Sequence, residues 1–221
     1  MSGPILAIEA SSLSPSLALA GPGEQPLGHW QSPEGTRGTA GLAAAAAELL
    51  DAAGLRAADL LGVVVGIGPG SYTGTRASIA LARGIAFPGG LPIAGVPSVA
   101  AAARAALRED PTLQRAVVLI DARRGEVYRA DYTRAGVDDG PIAQEELPPR
   151  LVAEADAEPA AEPSLSVIRE PVPDAYDVAA LGRQRLAAGG DDPAQVRPLY
   201  LKRAHAEIVF DERVGGTPGL G

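Results

Sequence analysis

The chain opens on an apolar run, Ile5-Leu6-Ala7-Ile8, that ends in Glu9. Ser11, Ser12, Ser14 and Pro15 then turn it into a second apolar run, Leu17 to Ala20, which predicts a hairpin. Gly21-Pro22-Gly23 turns the chain again toward a weaker strand near Pro26 to Gln31, with His29 beside Trp30 as a strand-edge pair. From Thr39 the period changes. Leu42, Ala46, Leu49, Leu50 and Ala53 recur at helical spacing, with Thr39 as a candidate cap and Gly54 as a stop. Leu61 to Ile67 is a continuous apolar, β-branched run of the kind buried on both faces of a sheet. A glycine-rich turn, a helix from about Thr75 to Phe87 and a strand from Leu91 to Val96 come next. Ser98 is a candidate cap for an Ala-rich helix that stops before Pro111.

Strand, hairpin, strand, helix, strand, helix, strand describes a mixed α/β unit. A second start succeeds it. Val117 to Ile120 ends in Asp121, Ala122-Arg123-Arg124-Gly125 forms a turn, and Glu126 to Tyr132 returns as a strand. This repeats the opening device and predicts two lobes of related fold, with Glu9 and Asp121 both at the carboxyl ends of first strands. Residues from Gly140 to Pro173, rich in Pro, Glu, Asp and Ala, read as loops with at most one short strand. Asp174, Asp177 and Gly189-Gly190 delimit a helix from about Ala175 to Ala188, Val196 to Leu201 reads as a final strand, and Gly215 to Gly221 as a frayed tail.

Composition narrows the chemistry. With 221 residues the chain fits one large domain or two small lobes. It has no cysteine, which removes disulfides, thiolate metal sites and thiol nucleophiles together. His29 and His205 are its only histidines, and neither belongs to a metal-binding spacing. A net charge of −8, with Lys202 the only lysine, is unsuited to gripping a phosphate backbone, so any contact with nucleic acid is expected through a partner. No apolar run is long enough to span a bilayer, and a soluble cytoplasmic protein is the expectation.

The most informative stretch is Gly66-Ile67-Gly68-Pro69-Gly70-Ser71-Tyr72-Thr73-Gly74-Thr75-Arg76, which joins a buried strand to a helix amino terminus. Glycines there allow a sharp turn and close approach, and free N–H groups at a helix start favour anions. Gly68, Gly70 and Ser71, with Asp121, are therefore candidates for holding phosphate or nucleotide; an ordinary strand-to-helix turn is the competing reading. No G-K-[ST] follows, and the dinucleotide spacing fails at Thr73. Glu9, Asp121 and Glu126 are candidates for a magnesium–phosphate cleft, but no lysine, histidine or activated hydroxyl accompanies them; hydrogen bonds to adjacent turns are the plainer expectation.

Gly68 to Arg76 closely resembles the signature of the bacterial TsaB family, also called YeaZ. The likeness extends to Ile5-Leu6-Ala7-Ile8-Glu9, to Ile120-Asp121-Ala122-Arg123-Arg124-Gly125-Glu126-Val127-Tyr128, and to Pro198-Leu199-Tyr200-Leu201-Lys202. It implies an actin-like ATPase (ASKHA) fold of two RNase H-like lobes, mixed sheets flanked by helices. Residues 1–97 would form a partner-binding lobe, 98–210 a shortened second lobe and 211–221 a tail. It also implies a non-catalytic subunit that, with a TsaD homologue and the ATPase TsaE, supports threonylcarbamoyl transfer to N6 of the adenosine beside the tRNA anticodon (t6A). Such a chain would have no metal and no cofactor of its own, with ATP or ADP at the TsaD interface, tRNA met only through the complex, and a homodimer when alone. The alternative is a free-standing actin-fold ATPase or small-molecule kinase. The expected partner-facing residues are Tyr72, Thr73, Arg76 and Arg83 along one edge, with Leu42, Ala43, Ala47, Ala80 and Gly84 where small side chains let helices approach closely.

Overall fold

The computed structural model describes residues 3–33, 39–135 and 142–201, so Thr36 to Gly38, Lys202, His205 and the tail at 211–221 lie outside the described residues. Strands β1 (Ile5–Glu9), β2 (Ser16–Ala20), β3 (Pro26–Gln31), β4 (Gly62–Gly66) and β5 (Ile93–Val96) form one sheet in the order β3-β2-β1-β4-β5. The β1–β2–β3 meander is antiparallel, whereas β4 and β5 run parallel to β1.

Alternation along β1 sorts the two faces. Leu6 and Ile8 join Leu17, Leu19, Val63 and Val65 in the core under helices α1 (Leu42–Ala52) and α2 (Tyr72–Ala86). Ile5 and Ala7 join Ala18, Val64, Ala94 and helix α4 (Ala175–Ala187) on the other face. Helices on both faces explain why β1 and β4 read as unbroken apolar runs.

A second sheet contains β6 (Arg115–Arg123), β7 (Glu126–Ala135), β8 (Ile142–Ala153) and β9 (Leu165–Arg169) in the order β8-β7-β6-β9. Its antiparallel β6–β7–β8 meander with β9 parallel to β6 repeats the first sheet up to its fourth strand. Helix α3 (Ser98–Glu109) covers one face through Val99, Ala103 and Leu107. Although α4 comes after the second sheet in the chain, it packs on the first, and α3 and α4 touch each other.

Several expectations need correction. Residues 140–173 contain a twelve-residue strand, β8, as well as β9. β8 escapes the hydrophobic pattern because it is an edge strand with exposed polar residues, and Pro148 and Pro149 sit where its register with β7 shifts, a place that needs no N–H. Val196 to Leu201 is no strand; Pro198 cannot donate to a ladder, and the segment is held by Leu199 N–H on the Ile67 carbonyl, 2.8 Å. Thr39 is not the cap of α1, which begins after Gly41 in a left-handed conformation. α2 starts earlier than the periodicity suggests because Ser71, not a later residue, caps it through the Gly74 N–H. Ser98 lies inside α3 and its hydroxyl is engaged elsewhere.

Candidate functional site

The loop between β4 and α2 folds down onto the turn that ends β1. Ser11 N–H donates to Glu9 Oε1 at 2.6 Å, and the Ser98 hydroxyl donates to Glu9 Oε2 at 2.7 Å. Ser98 Oγ in turn accepts the Gly68 N–H at 3.1 Å, while Ser98 N–H donates to the Gly68 carbonyl at 2.8 Å. Further along the loop, Ser71 N–H donates to the Ser11 carbonyl at 2.6 Å. The glycines answer to this closeness. A Cβ on Gly66 would run into Glu9 Oε2, and one on Gly74 into the Ala10 carbonyl. Gly70, at φ 153, faces Ser11 in the same way.

Glu9 is fully enclosed. Burial pushes its carboxyl above the ordinary value, against the opposing effect of the Ser11 and Ser98 donors. The glycine-rich loop is thus packed against the protein's own backbone. The N–H groups of Gly68, Ser71, Gly74 and Thr75 all have internal acceptors, so the predicted phosphate cradle at Gly68, Gly70 and Ser71 has lost much of its donor set. Asp121 belongs to the other sheet, where its Oδ1 accepts the Arg123 N–H at 2.7 Å and its Oδ2 pairs with Arg123 Nη1 at 2.8 Å. Glu9 thus holds both the turn after β1 and Ser98 of α3, and Asp121 holds its own turn. Among the described residues no group of three His, Asp or Glu side chains is placed to hold a metal ion.

The predicted docking residues divide by exposure. Tyr72, Thr73, Arg76 and Ala80 are exposed along α2, with Gly84 one turn beyond Ala80, and Ala43 and Ala47 are exposed along α1. An apolar groove between the two helices is lined by Ala43, Ala47, Leu81, Gly84 and Ile85, and Phe87, 88% exposed, stands at the end of α2. Leu42 does not belong to this face: it is 3% exposed and part of the core, because it lies on the side of α1 that meets the sheet. Arg83 is half-buried, its Nη2 donating to the Val196 carbonyl at 2.8 Å, so it ties the C-terminal segment to α2.

Two features have no counterpart in the sequence pattern. Tyr200 stacks on Tyr72 with ring centroids 5.5 Å apart, both rings about half exposed, and Arg76 lies over Tyr72 while donating to its hydroxyl at 2.7 Å. Apolar patterning places Tyr200 in a strand, and only the return of the chain to α2 reveals the pair. On the opposite face, buried Asp177 accepts from Arg104 at 2.6 Å and from Arg108 at 3.2 Å, whereas helix-end spacing suggests only a capping role. His29 lies beside Trp30 in the edge strand β3, as expected, and there meets Asp174 Oδ2 at 2.8 Å and stacks on Tyr176.

Two mixed sheets that share one strand order through four strands, the first clad in helices on both faces, define a two-lobed α/β fold. Comparison with known proteins agrees. The sequence matches the family described as "TsaD: tRNA N6-adenosine threonylcarbamoyltransferase" over residues 39–149. It is 37% identical over 109 residues to the tRNA threonylcarbamoyladenosine biosynthesis protein TsaB of Escherichia coli, covering 48% of this chain and 47% of that one. It thus spans about half the length of that relative. An uncharacterized protein of Mycobacterium tuberculosis, Rv3421c, is 36% identical over 170 residues, 73% of this chain and 72% of its own. The solved structure "YeaZ from Pseudomonas aeruginosa" superposes with a TM-score of 0.73 at 23% identity, covering 90% of this chain and all of that one. The chain belongs to the family whose model it matches over half its length, and its named relatives there are TsaB proteins.

Proposed function

We propose that this chain is a non-catalytic partner subunit of the assembly that installs threonylcarbamoyl on N6 of the adenosine beside the tRNA anticodon. The observation that carries this reading is the α1–α2 face. Both helices bury their apolar stripes against the sheet, yet Ala43, Ala47, Ala80, Gly84 and Phe87 remain outward, a surface of small side chains edged by a large apolar one. Such a surface suits two helices of a second protein at close range. The names of relatives supply the pathway, tRNA threonylcarbamoyladenosine biosynthesis. The partner on this face is a TsaD homologue, with the ATPase TsaE joining the assembly, and two copies of the chain pair through the same face when that partner is missing.

Substrate chemistry then belongs to the partner, and tRNA is met through the assembly, in keeping with a net charge of −8. Nucleotide, where the assembly uses it, sits at the junction with the TsaD-type subunit. The alternative, a free-standing ATPase or kinase, would need phosphate donors in Gly68 to Gly74, and the loop turns several of them inward.

Mixing the purified chain with the TsaD homologue of its source organism tests this. Association is expected, and Gly84→Arg, placed where a Cβ meets open space, should weaken it by roughly tenfold or more while the circular dichroism spectrum stays unchanged. Reconstituted tRNA modification should require the chain, and the chain alone should modify nothing. Turnover of ATP or tRNA by the isolated chain, or no association at micromolar concentrations, overturns the proposal.

A further inference from the structure

Both residues that donate to the Glu9 carboxylate, Ser11 and Ser98, also hold the loop between β4 and α2. The carboxylate binds Ser11 N–H on one oxygen and the Ser98 hydroxyl on the other, and Ser98 passes the link to Gly68 in both directions. The groups facing the carboxyl are Ala10 and Ser11 from the turn after β1, Gly66 from β4 and Ser98 from α3, and none of them is titratable. Ser98 is fully buried, so its hydroxyl has no exchange with bulk water to fall back on.

We propose that Ser98 and Glu9 are positioning residues that latch the Gly66–Gly74 loop onto the end of β1 and so set where α2 begins and where Tyr72 and Arg76 stand. The geometry links the parts in sequence. Ser98 holds Gly68; Ser11, itself held by Glu9, holds Ser71; and Ser71 caps α2 through Gly74. α2 then carries Tyr72 and Arg76 on its first two turns, at the edge of the exposed face. A buried carboxylate without a cation beside it is a costly way to fill a core position. Here it supplies what an apolar side chain cannot: two acceptors that organise donors from the β1–β2 turn and from α3. The acid at the tip of the first strand acts inward on the loop rather than outward on a ligand. Its bearing on docking rests on the proposed partner role; its bearing on the loop does not.

Residue-resolved hydrogen exchange and a carbon-detected titration of the full chain test the latch. Ser98→Ala should speed exchange at Gly68 and Ser71 by roughly tenfold or more relative to Val63 to Val65, a difference of about 1.4 kcal/mol in local opening. It should also weaken association with the TsaD homologue. In the unmodified chain, the Gly68 amide resonance should move with the same midpoint as the Glu9 carboxyl, a signature that packing alone does not produce. This second measurement decides the matter if Ser98→Ala fails to fold. Unchanged loop exchange, or a Gly68 resonance indifferent to Glu9, overturns the latch. Faster exchange with undiminished association overturns its role in docking. If the unmodified chain binds no TsaD homologue while Gly68 still tracks Glu9, the latch is upheld and it is the partner reading that fails.

Discussion

The two sheets begin alike and end differently. In each, a first strand carries an acid at or near its carboxyl end and turns into an antiparallel neighbour; β1 ends at Glu9, sealed in the protein, whereas β6 runs on from solvent-exposed Asp121 to Arg123. The cause lies beyond the fourth strand of each sheet. After β4 the glycine loop folds back over the end of β1 and α2 rises from it; after β9 the chain leaves through Glu170, whose side chain accepts the Asp121 N–H at 2.6 Å, toward α4 on the other sheet. The turn at Arg123, Arg124 and Gly125 takes left-handed backbone conformation, and a Cβ on Gly125 would meet open space. Identical topology thus fixes where a carboxylate stands without fixing its environment, and environment decides what the carboxylate does.

The largest test of this contrast is Gly66→Ala. The added methyl meets Glu9 and Ser98 in a filled core, and a loss of about 3 kcal/mol in chemical denaturation is expected. A change below about 1 kcal/mol would mean that the loop is not pressed against Glu9. The pH dependence comes next. The folded Glu9 carboxyl lies above its unfolded value, so the folded state holds the proton longer; stability falls as pH rises from the ordinary glutamate range through the raised value, then levels. Glu9→Gln should flatten that slope, whereas a profile identical to that of the unmodified chain would place Glu9 in water.

Asp131 of the second sheet should behave oppositely. Burial raises its carboxyl, but Arg129 and Arg150 outweigh this and hold it low, so its stabilisation is present above the unfolded value and disappears as pH falls through the lowered one. Asp131→Asn should therefore reduce the loss of stability in acid, measured by thermal melts across that range. The smallest effect is expected at the open turn: Asp121→Asn removes an exposed pair with Arg123 and should cost under about 1 kcal/mol, less at high salt. An effect as large as that of Gly66→Ala would erase the difference between the two strand ends.

Local periodicity makes the first sheet legible almost strand for strand, because strands buried on both faces leave continuous apolar runs and their turns carry Ser, Pro and Gly. β8 stays hidden for the converse reason: a solvated edge with two prolines shows neither alternation nor a run. At the candidate site, the motif from Gly66 to Arg76 stands out in the sequence, and so do the small residues of α1 and α2. Its contacts do not. Nothing local distinguishes glycines that receive a phosphate from glycines that receive a backbone carbonyl, whereas Leu42 already falls on the apolar helical period that turns to the core, off the side of Ala43.

Residue order settled the strands of the first sheet, the doubled beginning and the likeness to TsaB, since each rests on patterns within a few residues of one another. Tertiary contact settled the rest: Ser98 meeting Glu9 from 89 positions away, Tyr200 on Tyr72, and α4 crossing back to the first sheet. Those pairings depend on how close distant backbones come, and short-range propensity carries no record of that distance.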